Sequence, residues 1–341
     1  RNGLGQAGDR CGRDGRARPR AQRPPGVRVG EIFRFFLFVD EADGSAPRVE
    51  CRHVAQGVRH GHRGSLAPAG GQRRRDRIGF QPGEEGLGGA IAMIADGVLE
   101  NPKPDVALAM HLWTPEPYGK VRVTNGPCMS SSSVFTLTVQ GKGGHGAAPH
   151  LAIDPILAGA HIVAALQSIV SRNVNPQDSV VVSIGQFTAG TTFNVIPDKA
   201  ILKGTVRSYN NELHRMIYRR ILEMATSMAE ALNCKATMET VAIVQAVVNA
   251  PEPTAVVYDA AAKVMGAQNI VDKRTMASED MGFFLDEIPG CYFFIGASNE
   301  AAGINFPHHH PRFTFDERAM IDGVAVMGEA AASYVMRNGH S

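Results

Sequence analysis

The first 78 residues contain no lysine although they carry 17 arginines, whereas residues 79–341 hold 10 arginines and 8 lysines. The chain also lacks any run of about eighteen apolar residues, so no segment reads as a bilayer span. Its most apolar short run, "IFRFFLFVD" at 32–40, is short and is interrupted by Arg34. Strong charge of either sign is missing: the formal net charge is +2. Overall charge therefore gives no argument for nucleic acid or an anionic membrane as partner. Cysteine is scarce and odd in number, with five residues (Cys11, Cys51, Cys128, Cys234 and Cys291) widely spaced. That excludes a disulfide framework and suits a reducing compartment, so the expected location is cytoplasmic. The chain begins at Arg1 without methionine or a signal-peptide pattern, as expected of a fragment or an incomplete translation. What is present, 341 residues with 44% hydrophobic content, suffices for one large domain or two ordinary ones.

Composition breaks near residue 78. Upstream, "RCGRDGRARPRAQRPPG" and its surroundings are rich in Arg, Gly and Pro and show no sustained periodicity. Three readings stand for 1–77: a disordered basic arm, a folded segment of unfamiliar pattern, or a GC-rich gene read in the wrong frame. For the last, "HRGSLAPAG" (62–70) has a back-translation that yields Thr-Ala-Ala-Ala-Leu-Arg-Leu-Leu one base later, a good amphipathic helix.

From residue 78 the pattern alternates strands and helices, the mark of an α/β protein. "RIGFQP" reads as a strand, "GLGGAIAMIADGVLE" as a helix opened by glycines, and "DVALAMHLW" as a buried strand. The character changes near 128. A strand "SVFTLTVQGKG" precedes a helix with Asp154 as N-cap and Pro155 at its first position. Strands "SVVVSIGQFTAG" and "KAILKGTVRSY", a helix over 211–232 and a strand "KATMETVAIV" follow. Strand-helix-strand-strand-helix-strand is the order of a ferredoxin-like unit. The expected organisation is an α/β domain over 78–127 and 248–341, interrupted by an α+β insert over 128–247.

Three patterns could carry chemistry. "GFQPGEEGLGGA" (79–90) sets Glu84 beside Glu85 in a glycine-rich turn. Adjacent carboxylates repel and raise one another's pKa, so the pair is costly unless a cation or a reacting proton sits there; a solvated turn is the plainer reading. His111 lies at the end of an apolar strand, where active sites of open α/β sheets gather, although a satisfied core histidine would look the same. "FPHHHPRFTFDE" holds His308, His309 and His310 in a loop, either exposed polar residues or ligands. Together these make a His/carboxylate set suited to a zinc-like ion.

In this order, "FQPGEEGLGGA", "AMHLWT", "GKGGHGAAPH", "NVIPDKAILKGTVR", "SEDMGFF" and "HHHPRFTFDE" resemble the N-acyl-amino-acid amidohydrolases. The likeness is to the hippurate-hydrolase and auxin-conjugate-hydrolase branch of the aminoacylase/carboxypeptidase metallohydrolases, and it covers residues 78–336. It implies a mixed-sheet di-metal catalytic domain and a ferredoxin-like insert that forms a homodimer. It implies hydrolysis of the amide bond of small N-acyl or N-aroyl amino acids with two divalent ions (Zn, Mn, Co or Ni), and no nucleic-acid or membrane partner. By the same resemblance Glu84 is the general base, Glu85, His111 and His309 are metal ligands, and His308 and His310 have no ligand counterpart. His145 resembles a histidine that reaches the neighbouring subunit's site and polarises the scissile carbonyl, and Asn194 and Arg207 resemble contacts to the substrate carboxylate. "SEDM" reads as a pocket wall, with Ser278, Glu279 and Asp280 equally readable as loop-capping groups.

The sequence departs from the family upstream. A "HACGHDGHT"-type motif, which supplies a Cys bridging both ions and a His, is absent, as is a "RADMDAL"-type strand. The only echo is Cys51-Arg52-His53, 33 residues before Glu84, with His60 and His62 weaker still. The expectation is therefore a chain that binds metal poorly and has little or no hydrolase activity. Two alternatives remain beside it: a dipeptidase or carboxypeptidase of the same superfamily, and a non-catalytic binding protein whose basic arm engages nucleic acid through phosphates.

Overall fold

The apolar strands sort their side chains onto two faces, and that sorting defines the layers. In the computed structural model the residues described are 34–40, 50–53, 75–81, 83–84, 88–100 and 103–337. The chain begins with strands β1 (Arg34–Asp40), β2 (Glu50–His53) and β3 (Arg75–Gln81), then helix α1 (Gly89–Ala95) and strands β4 (Val106–Pro117), β5 (Val121–Arg122) and β6 (Gly126–Met129). The insert comprises β7 (Ser131–Gln140), β8 (Gly144–His145), α2 (Pro155–Asn173), β9 (Val180–Ala189), β10 (Val195–Ile196), β11 (Lys199–Ser208), α3 (Asn211–Ala231) and β12 (Lys235–Val244). The chain then returns through β13 (Val247–Asn249), α4 (Pro251–Met265), β14 (Ile270–Val271), α5 (Met281–Glu287), β15 (Gly290–Ser298) and α6 (Arg318–Arg337).

Among the described residues, seven strands form a mixed sheet in the order β14-β5-β15-β4-β1-β3-β2. β15 runs parallel to β4, and β1 runs antiparallel to both β4 and β3. Side chains alternate across a strand, so Val106 and Leu108 of β4 pack with Cys291, Phe293 and Ile295 of β15 beneath α4 and α6. Ala107 and Ala109 join Tyr292 and Phe294 on the opposite face, against Met93 of α1 and Met281 and Phe284 of α5. Burial on both faces explains why β15 reads as a continuous apolar run.

The upstream stretch contributes more than its composition suggests. Arg34–Asp40 forms an interior strand of this sheet, and Glu50–His53 its edge beside β3. The sheet thus extends upstream of residue 78, the expected limit of the α/β domain. The helix expected over 86–100 is shorter: α1 ends at Ala95, and the turn that follows needs Gly97 at φ 79°.

The insert has its own core. Its four strands lie in the order β12-β7-β11-β9, every neighbouring pair antiparallel, with α2 and α3 supplying Ile162, Leu166, Ile217 and Ile221 to one face. Both helices begin where the sequence says they should. The Asp154 carboxylate accepts from the amides of Ile156 (2.8 Å) and Leu157 (3.3 Å), and Asn210 Oδ1 accepts from Glu212 (2.9 Å) and Leu213 (3.0 Å). Such caps satisfy amides that lack a partner within the helix. The chain enters through β6 and leaves through β13, which pair antiparallel, so the insert hangs from a two-stranded ribbon. Although no uninterrupted apolar run spans a bilayer, α2 and α6 are by length and mean hydropathy apolar enough to cross one, which differs from the reading of the sequence; each packs a stripe onto a sheet core.

Candidate functional site

Register places the expected residues at one end of the large sheet. Phe36 of β1 pairs with Gly79 of β3 and also with Ala109 of β4, so these two are level. Gln81 and His111, each two residues further along parallel strands, share one height and one face, separated by two strand spacings or about 10 Å. The glutamate turn follows Gln81 directly. Gly83 adopts φ 67° and Gly88 φ 72°, left-handed conformations that confine the tight turn around Glu84. Glu85 lies outside the described residues, as do His60 and His62; Cys51 and His53 are described only as backbone of the edge strand β2.

Glu84 meets two carboxylates that sequence reasoning left as a pocket wall. One ligand atom from each of Glu84, Glu279 and Asp280 falls within 4.8 Å of the others. Glu279 and Asp280 are buried, 2% and 4% exposed. Glu279 accepts the Tyr292 hydroxyl at 2.8 Å, and Asp280 Oδ2 accepts Gln81 Nε2 at 2.5 Å and the Ala90 amide at 3.1 Å. The loop-capping reading of Asp280 thus describes its geometry: it caps the start of α1.

The histidine loop brings one of its three rings to His111. His111 stands edge-on to His308, ring centroids 5.0 Å apart, with its Nδ1 2.5 Å from the Leu112 carbonyl. His308 stacks on Trp113 at 5.0 Å, tilts against Phe313 at 4.7 Å and accepts the Thr114 amide at 3.4 Å. His309 is exposed and adopts φ 66°, reversing the chain. His310 stacks on Phe306 at 4.5 Å. His308 faces His111 and stacks on Trp113, while the turn at His309 directs the next residue of the run away from that pair. Trp113 is itself braced: Arg122 lies 5.7 Å from its ring and pairs with buried Glu116 at 2.5 Å, with Lys273 3.4 Å from the same carboxylate.

The insert brings His145 and Asn194 together in a second group but not Arg207, which pairs with Ser132 and Val181 at the far end of β11 from them. β8 pairs with β10, so His145 lies opposite Val195, and the Gly146 amide donates to the Asn194 carbonyl at 2.8 Å. Both side chains are exposed; His145 Nδ1 accepts the Ala147 amide at 3.0 Å. Arg207 is half-buried, and its guanidinium donates to the Met276 carbonyl at 2.7 Å. Burial lowers its pKa below the usual arginine value. That carbonyl also accepts the Ser130 hydroxyl at 2.9 Å, so Arg207 grips the loop that leads to Glu279 and Asp280. Separately, a cleft of about 590 Å³ lined by Thr114, Tyr118, Ser298, Asn299 and Arg318 contains none of the expected residues. Its cation Arg318 is paired with Asp316 at 2.6 Å.

The imidazole pair and the carboxylates are the donor types that divalent zinc, manganese or cobalt accept, so the described residues fit such an ion. A mixed α/β sheet with imidazole and carboxylate donors at one strand end is an arrangement that metallohydrolases use. Comparison with known proteins narrows the class. The profile of Peptidase family M20/M25/M40 matches residues 66–333, and the chain belongs to that family. YhaA of Bacillus subtilis (strain 168) is 39% identical over 248 residues, 72% of this chain and 62% of YhaA. N-acetyldiaminopimelate deacetylase of Geobacillus sp. (strain WCH70) is 35% identical over 262 residues, 77% of this chain and 67% of that protein. Among solved structures, Bacillus subtilis YxeP, described as a dinuclear metal-binding peptidase, superposes with a TM-score of 0.63 at 27% identity over 77% of this chain and 66% of YxeP. The chain therefore spans about two thirds of the length of these relatives, and less of YhaA.

Proposed function

We propose that this chain is a metal-dependent amidohydrolase that cleaves the amide bond of small N-acyl amino acids, releasing an acid and an amino acid. The observation that supports it most is the shared height of Gln81, which leads into the Glu84 turn, and His111 at one end of the sheet. Glu84 holds the attacking water, takes its proton and returns it to the leaving nitrogen. Glu85, His111 and His309 would hold the divalent ions, which would supply Lewis acidity at the scissile carbonyl when bound. His145, reaching from one chain into the site of the other, donates to that carbonyl oxygen, and Asn194 and Arg207 bind the substrate carboxylate, for which a guanidinium fork is suited. Deacetylation by the Geobacillus relative supports an acetyl group as acyl substrate; the hippurate-hydrolase branch adds aroyl groups.

The insert is proposed to be the ferredoxin-like unit through which two chains pair, consistent with the exposed Phe187 on its edge strand β9 and Ile156 and Leu157 on α2. Because the bridging-cysteine motif is missing, metal affinity and turnover are expected to be low. A cytoplasmic location accords with the buried thiols of Cys128, Cys234 and Cys291. Parallel assays with N-acetyl-, N-benzoyl- and dipeptide substrates in Mn²⁺ or Zn²⁺ test the reading. Metal-dependent release of amino acid from the acyl substrates supports it, and preferential dipeptide cleavage would replace it with a dipeptidase.

A further inference from the structure

The turn that carries Glu84 joins β3 to α1, and both its ends are tied to one oxygen far away in sequence. Asp280 Oδ2 accepts the side-chain amide of Gln81, the last residue of β3, at 2.5 Å, and the backbone amide of Ala90, the second residue of α1, at 3.1 Å. Inside that bracket the Gly89 amide donates to the Gly83 carbonyl at 3.2 Å. Asp280 is in turn backed by rigid structure. Its neighbour Glu279 accepts the buried Tyr292 hydroxyl, and the Tyr292 amide donates to Asn249 Oδ1 at 2.7 Å. On the other side, the loop before Glu279 is held by Arg207 and Ser130 at the Met276 carbonyl.

We propose that Asp280 is a positioning residue that fixes the Glu84 turn by bridging its two ends. A bridge to a charged acceptor is stronger than one between neutral groups, and it removes an unpaired amide at the start of α1. An asparagine carbonyl could accept from the same two donors, so Asp280→Asn keeps the bridge and Asp280→Ala removes it. Only the kinetic part of the proposal rests on the amidohydrolase reading.

Hydrogen exchange on the full chain tests the bridge directly, comparing wild type with Asp280→Ala, Asp280→Asn and Gln81→Met. Asp280→Ala should speed exchange in the peptide spanning 83–95 by tenfold or more while the insert keeps wild-type protection, and lower kcat roughly 10–100-fold with KM within about threefold. Asp280→Asn, which keeps an oxygen for both donors, should return both readouts toward wild type, and Gln81→Met, which removes one donor, should lie between. The proposal is overturned if 83–95 exchanges at the wild-type rate in Asp280→Ala, if Asn is as impaired as Ala, or if protection falls equally across the whole chain. Should Asp280→Ala fail to fold, unchanged exchange of 83–95 in Gln81→Met overturns it. A wild type that hydrolyses nothing would count against the amidohydrolase reading while leaving the exchange result to decide the bridge.

Discussion

The insert and the large sheet solve the problem of burial differently. The insert covers one face of its four strands with α2 and α3, so its strands alternate between buried and open positions, as in the pattern of β11 from Ala200 to Ser208. The large sheet is covered on both faces and its central strands are apolar throughout; all of Gly290–Ala297 is buried. The difference extends to the chemistry. Glu84, His111 and His308 stand with the large sheet, whereas His145, Asn194 and Arg207 stand on the insert. On the proposed function, the large sheet carries the general base and the metal ligands, and the insert supplies the groups that meet the substrate's carbonyl and carboxylate.

The sharpest way to break that division is Glu84→Gln. Losing a positioned general base should lower kcat by about 10²–10⁴-fold with little change in KM, read by steady-state kinetics. A large rise in KM instead would place Glu84 with the binding groups. Next in size is the core. Phe293→Ala, buried in the large sheet, should cost about 3–5 kcal/mol, and Leu166→Ala, buried in the insert, about 2–5 kcal/mol. Calorimetry distinguishes the regions: the Leu166 variant should lower a transition assigned to the insert, and one shared transition shifted equally by both variants would deny the insert an independent core.

Arg207→Ala should raise KM for a substrate carboxylate by about 10–100-fold and affect kcat less, the mirror image of Glu84→Gln. The smallest effect expected is pH-dependent and confined to the insert. His214 is buried, 2.7 Å from the Ser133 hydroxyl, and burial lowers its pKa below the usual histidine value. Folding thus favours the neutral ring, so its contribution is complete above the unfolded pKa and is lost as pH falls through the folded one. Insert stability should decline on acidification from about pH 6.5. His214→Gln should flatten that decline in thermal melts between neutral and mildly acid pH; an unchanged slope would assign it to other groups.

The same contrast explains what could be read from the sequence. The insert was readable because Asp154-Pro155 marks a helix start and its strands alternate. β12 falls on "KATMETVAIV" from first residue to last. β1 was not, because five apolar residues (Phe35 to Val39) in an Arg-rich stretch show no period, and its place depends on backbone pairing to β3 and β4, distant in sequence. At the site, Glu84 and His111 stood out through their motifs. Glu279 and Asp280 did not, since acidic loop residues look alike until Gln81, Ala90 and Tyr292 are folded onto them. Nor does a run of three histidines reveal its register. Here that is decided by the left-handed turn at His309 and by Trp113, against which His308 stacks. β8 and β10, two residues each, are too short for any periodicity, so the proximity of His145 to Asn194 could only be inferred from the family resemblance.

The most direct test of this proposed division between sheet and insert is amino-acid release from N-acetyl amino acids by wild type and Glu84→Gln, with Mn²⁺ and with chelator. The account predicts slow release by wild type that requires the metal and disappears in Glu84→Gln. Release that persists in Glu84→Gln or in chelator, or its absence from wild type under every metal, would contradict it.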